Sequence, residues 1–87
     1  MIKITKVEAL PYLQVRVVFD DGIVKIFDIG SFVRDSIFEE TFNNIGFFHA
    51  VKGYEEGEGI YWPNEFDLCA EALRFHTKGT IEQPAIV

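Results

Sequence analysis

The stretch Leu13–Asp28 narrows the choice of fold more than any other part of the chain. It holds two runs rich in β-branched and aromatic residues, LQVRVVF and IVKIFD, parted by Asp20-Asp21-Gly22. Read as a two-residue type I′ loop, Asp21-Gly22 supplies the positive φ angles that a tight hairpin needs. That reading sets Asp20 opposite Ile23, Phe19 opposite Val24 and Val17 opposite Ile26. Leu13, Val15, Val17, Phe19, Val24 and Ile26 then share one face, with Arg16, Asp20 and Lys25 on the other. Because side chains alternate along a strand, a slip of one residue exchanges its faces. Val18 and Phe27 fall on the wet side in this register, which marks that side as one covered by a helix or used for association.

The rest of the chain must complete a core around this hairpin with few residues. A chain of 87 residues makes one domain and buries only roughly 60–65% of its unfolded surface. Nine Phe, three Tyr and one Trp supply the large rings that make such a core efficient. The net charge of −6 is unevenly placed. Residues 1–34 carry five basic groups against four acids, whereas residues 35–87 carry three against ten. No basic run or basic helix face exists to neutralise phosphates, so direct nucleic-acid binding is not expected. A partner with a basic surface fits the charge better. Cys69 is the single cysteine and has no internal disulfide partner. With neither a signal peptide nor an apolar run of membrane length, the expectation is a cytoplasmic protein without membrane association.

Ahead of the hairpin, Ile2 and Ile4 alternate in one phase and Val7 and Ala9 in the other, which suggests a bulged strand. Leu10-Pro11-Tyr12 reads as the turn that follows. After Asp28 the period changes. Residues 29–34 read as a short helical turn, and Phe38 and Phe42 with Ile37 form an apolar edge. Asn43 and Asn44 are good caps for a short helix through Ile45, Phe48, Ala50 and Val51. Glu55-Glu56-Gly57-Glu58 is an acidic turn, followed by a returning strand at 59–62 that Pro63 ends. Asp67 then caps a last helix, Leu68 to His76, with Leu68, Ala72, Leu73 and Phe75 as its apolar set. Residues 77–87 show no period and read as a loose, flexible C-terminal tail.

Taken in order, VVFDDG, IVKIFDIG and IYWPNEFDL followed by AEAL resemble a small bacterial family known only as a domain of unknown function, number 2442. The likeness lies in a V-x-F-x-D-G hairpin and a late W-P-N-x-x-D-L segment, and it runs from about Ile2 to Leu73. Glu65 stands where the family often has glycine, and the tail has no counterpart. Some relatives resemble fusions to a helix-turn-helix module, and some are encoded beside small toxin-like proteins. The resemblance therefore implies an accessory or partner-binding role, though the DNA-reading module is absent from this chain. Such company is analogy rather than a site.

Trp62-Pro63-Asn64 with Asp67 is the densest cluster of chemistry. An indole beside a carboxamide and a carboxylate can cradle a polar ligand, but the same residues equally end a strand and cap a helix. His49 and His76 have no acid at triad-like spacing, and Cys69 lacks an evident base, so no catalytic residue is assigned. Glu55, Glu56 and Glu58 lack the spaced oxygens of a calcium loop, and no Cys/His cluster exists, so neither metal nor cofactor is expected.

These observations predict an α+β fold: a three-stranded antiparallel meander, a short helical segment, a returning strand, and a C-terminal helix packed on one sheet face, all within residues 1–76. The expected function is a non-enzymatic interaction or regulatory module, one half of a toxin–antitoxin-like gene pair as the resemblance hints. Its partner would be a basic protein, and its surface Glu55, Glu56, Glu58 and Glu65 with Trp62. A homodimer, formed by strand addition at an open sheet edge or face to face, is a further expectation. The alternative is a small-molecule-binding domain or minor enzyme that uses Trp62, Asn64 and Asp67.

Overall fold

The structure, a computed structural model, describes residues 1–32, 44–63 and 66–82. Strands β1 (Ile4–Leu10), β2 (Gln14–Phe19) and β3 (Val24–Asp28) run as an antiparallel meander. Between β2 and β3 the turn is not the two-residue loop that the sequence suggests. Gly22 N–H donates to the Phe19 carbonyl at 3.0 Å and Phe19 N–H donates to the Ile23 carbonyl at 2.9 Å, which closes a loop of three residues. Gly22 alone is left-handed there, with φ of +89°. This is a type I turn completed by a glycine bulge. Asp21 keeps a negative φ, and its carboxylate accepts the Ile23 N–H at 3.1 Å.

The extra loop residue shifts the register by one. Val18 pairs with Val24, Val17 with Lys25 and Val15 with Phe27. The face of β3 is thereby reversed from expectation. Phe27 is fully buried beside Val15 and Val17, and Lys25 joins it with 7% exposure. A buried ammonium needs acceptors, and Lys25 Nζ donates to the carbonyls of Leu73, Arg74 and Thr77 at 3.0, 3.2 and 3.3 Å. Burial pulls its pKa below the ordinary lysine value, and the nearby Arg74 charge adds to the effect.

The phase change in the first strand is a bulge between Ile4 and Lys6. At the other end of β1, Tyr12 and Leu13 both take left-handed backbone, with φ of 64° and 58°, and leave Tyr12 92% exposed at the hairpin tip. Short helical turns follow at α1 (Ile29–Phe32) and α2 (Ile45–Phe48). Asn44 Oδ1 accepts the Phe47 N–H at 3.1 Å and so caps α2. The apolar edge expected at Ile37, Phe38 and Phe42 lies outside the described residues.

The largest departure is in the second half. The expected α+β fold with a C-terminal helix on one sheet face is overturned: the described residues are mostly β, in two antiparallel sheets of four and three strands. Asp67, Leu68 and Cys69, expected to cap and begin that helix, form a strand, β6 (Asp67–Cys69). With β4 (Lys52–Gly53) and β5 (Gly59–Tyr61) it makes the order β4-β5-β6. The reason lies in Gly59, opposite Cys69 in the ladder. A Cβ on Gly59 would stand 2.5 Å from the Leu68 carbonyl, so the glycine admits a close strand where any other residue would hold it off. What remains helical is one wide π-type turn, Ala72–His76.

Residues 79–82 are held against the first sheet. Gly79 lies flat against the Phe27 ring, where a Cβ would come within 2.8 Å of ring atoms. That approach returns the chain to the first sheet as β7 (Thr80–Glu82), paired with β3 and giving the order β1-β2-β3-β7. Glu82 accepts from Arg16 Nε at 2.7 Å, a contact that reaches across β3 and ties β7 to β2. A single apolar cluster of Val15, Val17, Phe19, Phe27, Ile29, Phe48, Ile60, Trp62 and Leu73 joins both sheets.

Candidate functional site

Alternation along β5 decides what the second sheet offers to solvent. Ile60 and Trp62 point into the core, so Tyr61 between them faces outward. Lys52 of β4 and Asp67 of β6 lie directly opposite Tyr61 on either side. Tyr54, just beyond β4, stacks on Tyr61 with ring centroids 4.6 Å apart and planes at 30°. Its hydroxyl donates to Asp67 Oδ2 at 2.8 Å. This hydrogen bond holds the Tyr54 phenol pKa above its ordinary value, with the surrounding negative charge adding to it. Two half-buried rings and a carboxylate are thus fixed on one outward face, with Cys69 exposed along the same strand.

The turn between β4 and β5 places the three glutamates beside this face. Tyr54 N–H donates to the Gly59 carbonyl and Gly57 N–H to the Tyr54 carbonyl, both at 2.9 Å. Gly57 has φ of +81° and sits tightly on β1, where a Cβ would be 2.8 Å from the Ile4 carbonyl oxygen. Its carbonyl accepts the Ile4 N–H at 2.8 Å. With the turn's backbone pinned to β1, Glu55, Glu56 and Glu58 are left exposed. Among the described residues no hydrogen bond or ion pair occupies their carboxylates.

Trp62, expected at this surface, is 0% exposed. Its Nε1–H donates to the Phe48 carbonyl at 2.9 Å, and its ring lies between Phe48 and Phe66 at 5.9 and 5.5 Å. Trp62 and Asp67 therefore lie on opposite sides of the small sheet, one in the core and one in water. Asn64 and Glu65 fall outside the described residues. Asp67 is not a helix cap but the acceptor that orients Tyr54. His49 and His76 are exposed on separate elements. No cluster of three His, Cys, Asp or Glu able to hold a metal occurs among the described residues.

Sequence reasoning missed Tyr54 and Tyr61. The signal was the run Gly59-Ile60-Tyr61-Trp62, in which the buried pair Ile60 and Trp62 forces Tyr61 outward. A ring face bordered by carboxylates attracts a cation, through the ring quadrupole and through charge.

No helix among the described residues is long and apolar enough to cross a membrane. The chain belongs to the family described as "Protein of unknown function (DUF2442)", whose model matches residues 4–79. No curated protein and no solved structure matches it.

Proposed function

For a member of that family, we propose a non-enzymatic accessory module that binds a basic partner protein through the outward face of β4-β5-β6. The observation that carries this reading is the Tyr54–Tyr61 stack, locked by Asp67 and flanked by the unpaired Glu55, Glu56 and Glu58. A lysine or arginine of the partner lies over the outer ring face of the tyrosine stack, and the glutamates steer its approach. Lys52 on the same face disfavours uniformly cationic ligands and so favours a segment of mixed charge. Such a module acts as the regulatory or neutralising half of a gene pair, without touching nucleic acid itself.

The test begins with the tagged protein purified from its own cells at low salt, and with identification of what accompanies it in stoichiometric amount. Affinity for that partner should fall steeply as salt rises. Tyr61→Ala should weaken it by about 1–2 kcal/mol. The triple change Glu55→Gln, Glu56→Gln, Glu58→Gln should slow association while leaving stability within about 0.5 kcal/mol. Binding that ignores both salt and Tyr61 would sink the proposal.

A further inference from the structure

Strand β1, the longest among the described residues, ends the four-stranded sheet, so its outer edge pairs with no described strand. Which of its backbone groups face outward follows from the hairpin turn. Phe19 directs both its N–H and its carbonyl toward the β3 side, to Ile23 and Gly22. In an antiparallel ladder the orientation alternates, so Val18 and Arg16 face β1. Their partners are Lys6 and Glu8. The N–H and C=O groups of Val7 and Ala9 therefore project from the free edge.

The sequence across that edge is self-complementary. When two copies of β1 meet antiparallel about a two-fold axis at Val7, Val7 faces its own mate with outward backbone groups on both strands. Lys6 then stands opposite Glu8 of the second copy, and Glu8 opposite its Lys6. These are non-hydrogen-bonded positions, where side chains come closest. Sliding the pairing by two residues sets Lys6 against Lys6 or Glu8 against Glu8, which repel. The charges thus select one register. Both side chains are exposed. Glu8 has only a long 3.7 Å contact to Arg16 Nη1, and no ion pair holds Lys6 among the described residues.

Room for the incoming strand exists along this edge. An open groove of about 840 Å³ lies between residues 3–7 and residues 51–57. Val7 and Val51 are among its lining residues, and the second copy's Val7 and Ala9 can pack beside them. At the near end Ile4 N–H is already taken by Gly57, so the new ladder is confined to the stretch from Thr5 to Ala9.

We propose that the outer edge of β1 is a homodimer interface, formed by antiparallel pairing of two copies about Val7 with reciprocal Lys6–Glu8 contacts. This does not rest on the basic-partner reading. Sedimentation equilibrium should give twice the 10.0 kDa chain mass. Lys6→Glu and Glu8→Lys each turn two attractive pairs into two repulsive ones, and each should weaken dimerisation on the order of tenfold or more. An equimolar mixture of the two variants restores every opposite-charge pair and should recover the dimer. That recovery also shows that both variants fold. A monomeric wild type, single variants that dimerise undiminished, or a mixture that stays monomeric would each overturn the proposal.

Discussion

Two turns of this molecule have nearly the same ingredients and opposite fates. Asp20-Asp21-Gly22 and Glu55-Glu56-Gly57-Glu58 each join antiparallel strands, carry acidic residues, and close on a glycine with φ between 80° and 90°. In the first, the acids are absorbed into structure. Asp20 Oδ1 accepts the Lys3 N–H at 3.3 Å, and Asp21 binds the Ile23 N–H and pairs with Arg74 at 2.7 Å. In the second, the backbone is anchored and the carboxylates are not. Short aspartate side chains reach their own backbone, whereas glutamates with one more methylene point past it. The same negative charge therefore builds a hairpin in one place and an unoccupied surface in the other.

Substituting the two glycines should separate the turns most sharply. Gly57→Ala combines left-handed strain with a Cβ 2.8 Å from a backbone oxygen that cannot easily move, and should cost roughly 2–4 kcal/mol. Gly22→Ala meets nothing within 4 Å and should cost only the strain, about 1–2 kcal/mol. Equal urea midpoints for the two variants would remove the claim that one turn is wedged and the other free.

A smaller effect tests whether the Asp21 charge contributes to stability. The hydrogen bond from Arg74 holds the Asp21 carboxyl below its ordinary value of 3.8. A depressed carboxylate stabilises the fold above that unfolded value, and the contribution disappears as pH falls through the folded one. Asp21→Asn keeps the acceptor for Ile23 N–H but loses the charge. Wild type should therefore exceed this variant in stability near neutrality, with the gap closing below pH 3.8. A gap that does not vary with pH would assign the effect to shape alone. The Glu55, Glu56 and Glu58 changes should be the mildest for stability, for want of any partner to lose.

How much of this was legible in the sequence follows the same division. The hairpin was plain, because alternation over Leu13–Asp28 admits little else. Its register was not, because Asp-Gly serves both a two-residue loop with two left-handed residues and a three-residue loop with one. Arg74, which completes the turn from 53 positions away, leaves no local trace. The last helix failed for a different reason. Leu68, Ala72, Leu73 and Phe75 satisfy a helical spacing, whereas Leu68 with Ala70 satisfies the alternation of a strand. Gly59 on another strand settled the choice, a tertiary override of a short ambiguous run. Trp62 was misplaced because an aromatic before proline reads alike in a site and in a core. Tyr54 and Tyr61 were readable from the burial of Ile60 and Trp62, but only once the second sheet was known.

Lys25 has a consequence for how the molecule opens. The wide turn at Ala72–His76 ends in carbonyls that lack intrahelical donors, and the donor they obtain is carried by β3 nearly fifty residues earlier. Neither part is complete without the other, so the C-terminal strand is not an appendage that frays by itself. Its ordering waits on a contact of long sequence separation, the kind that forms late and slowly. Turn, β7 and β3 should therefore behave as one cooperative unit. In hydrogen exchange, the β7 amides paired to β3 should open at the free energy of β3 itself, and Lys25→Met should lower both together. Exchange from β7 at a lower free energy than β3 would show that the two are uncoupled.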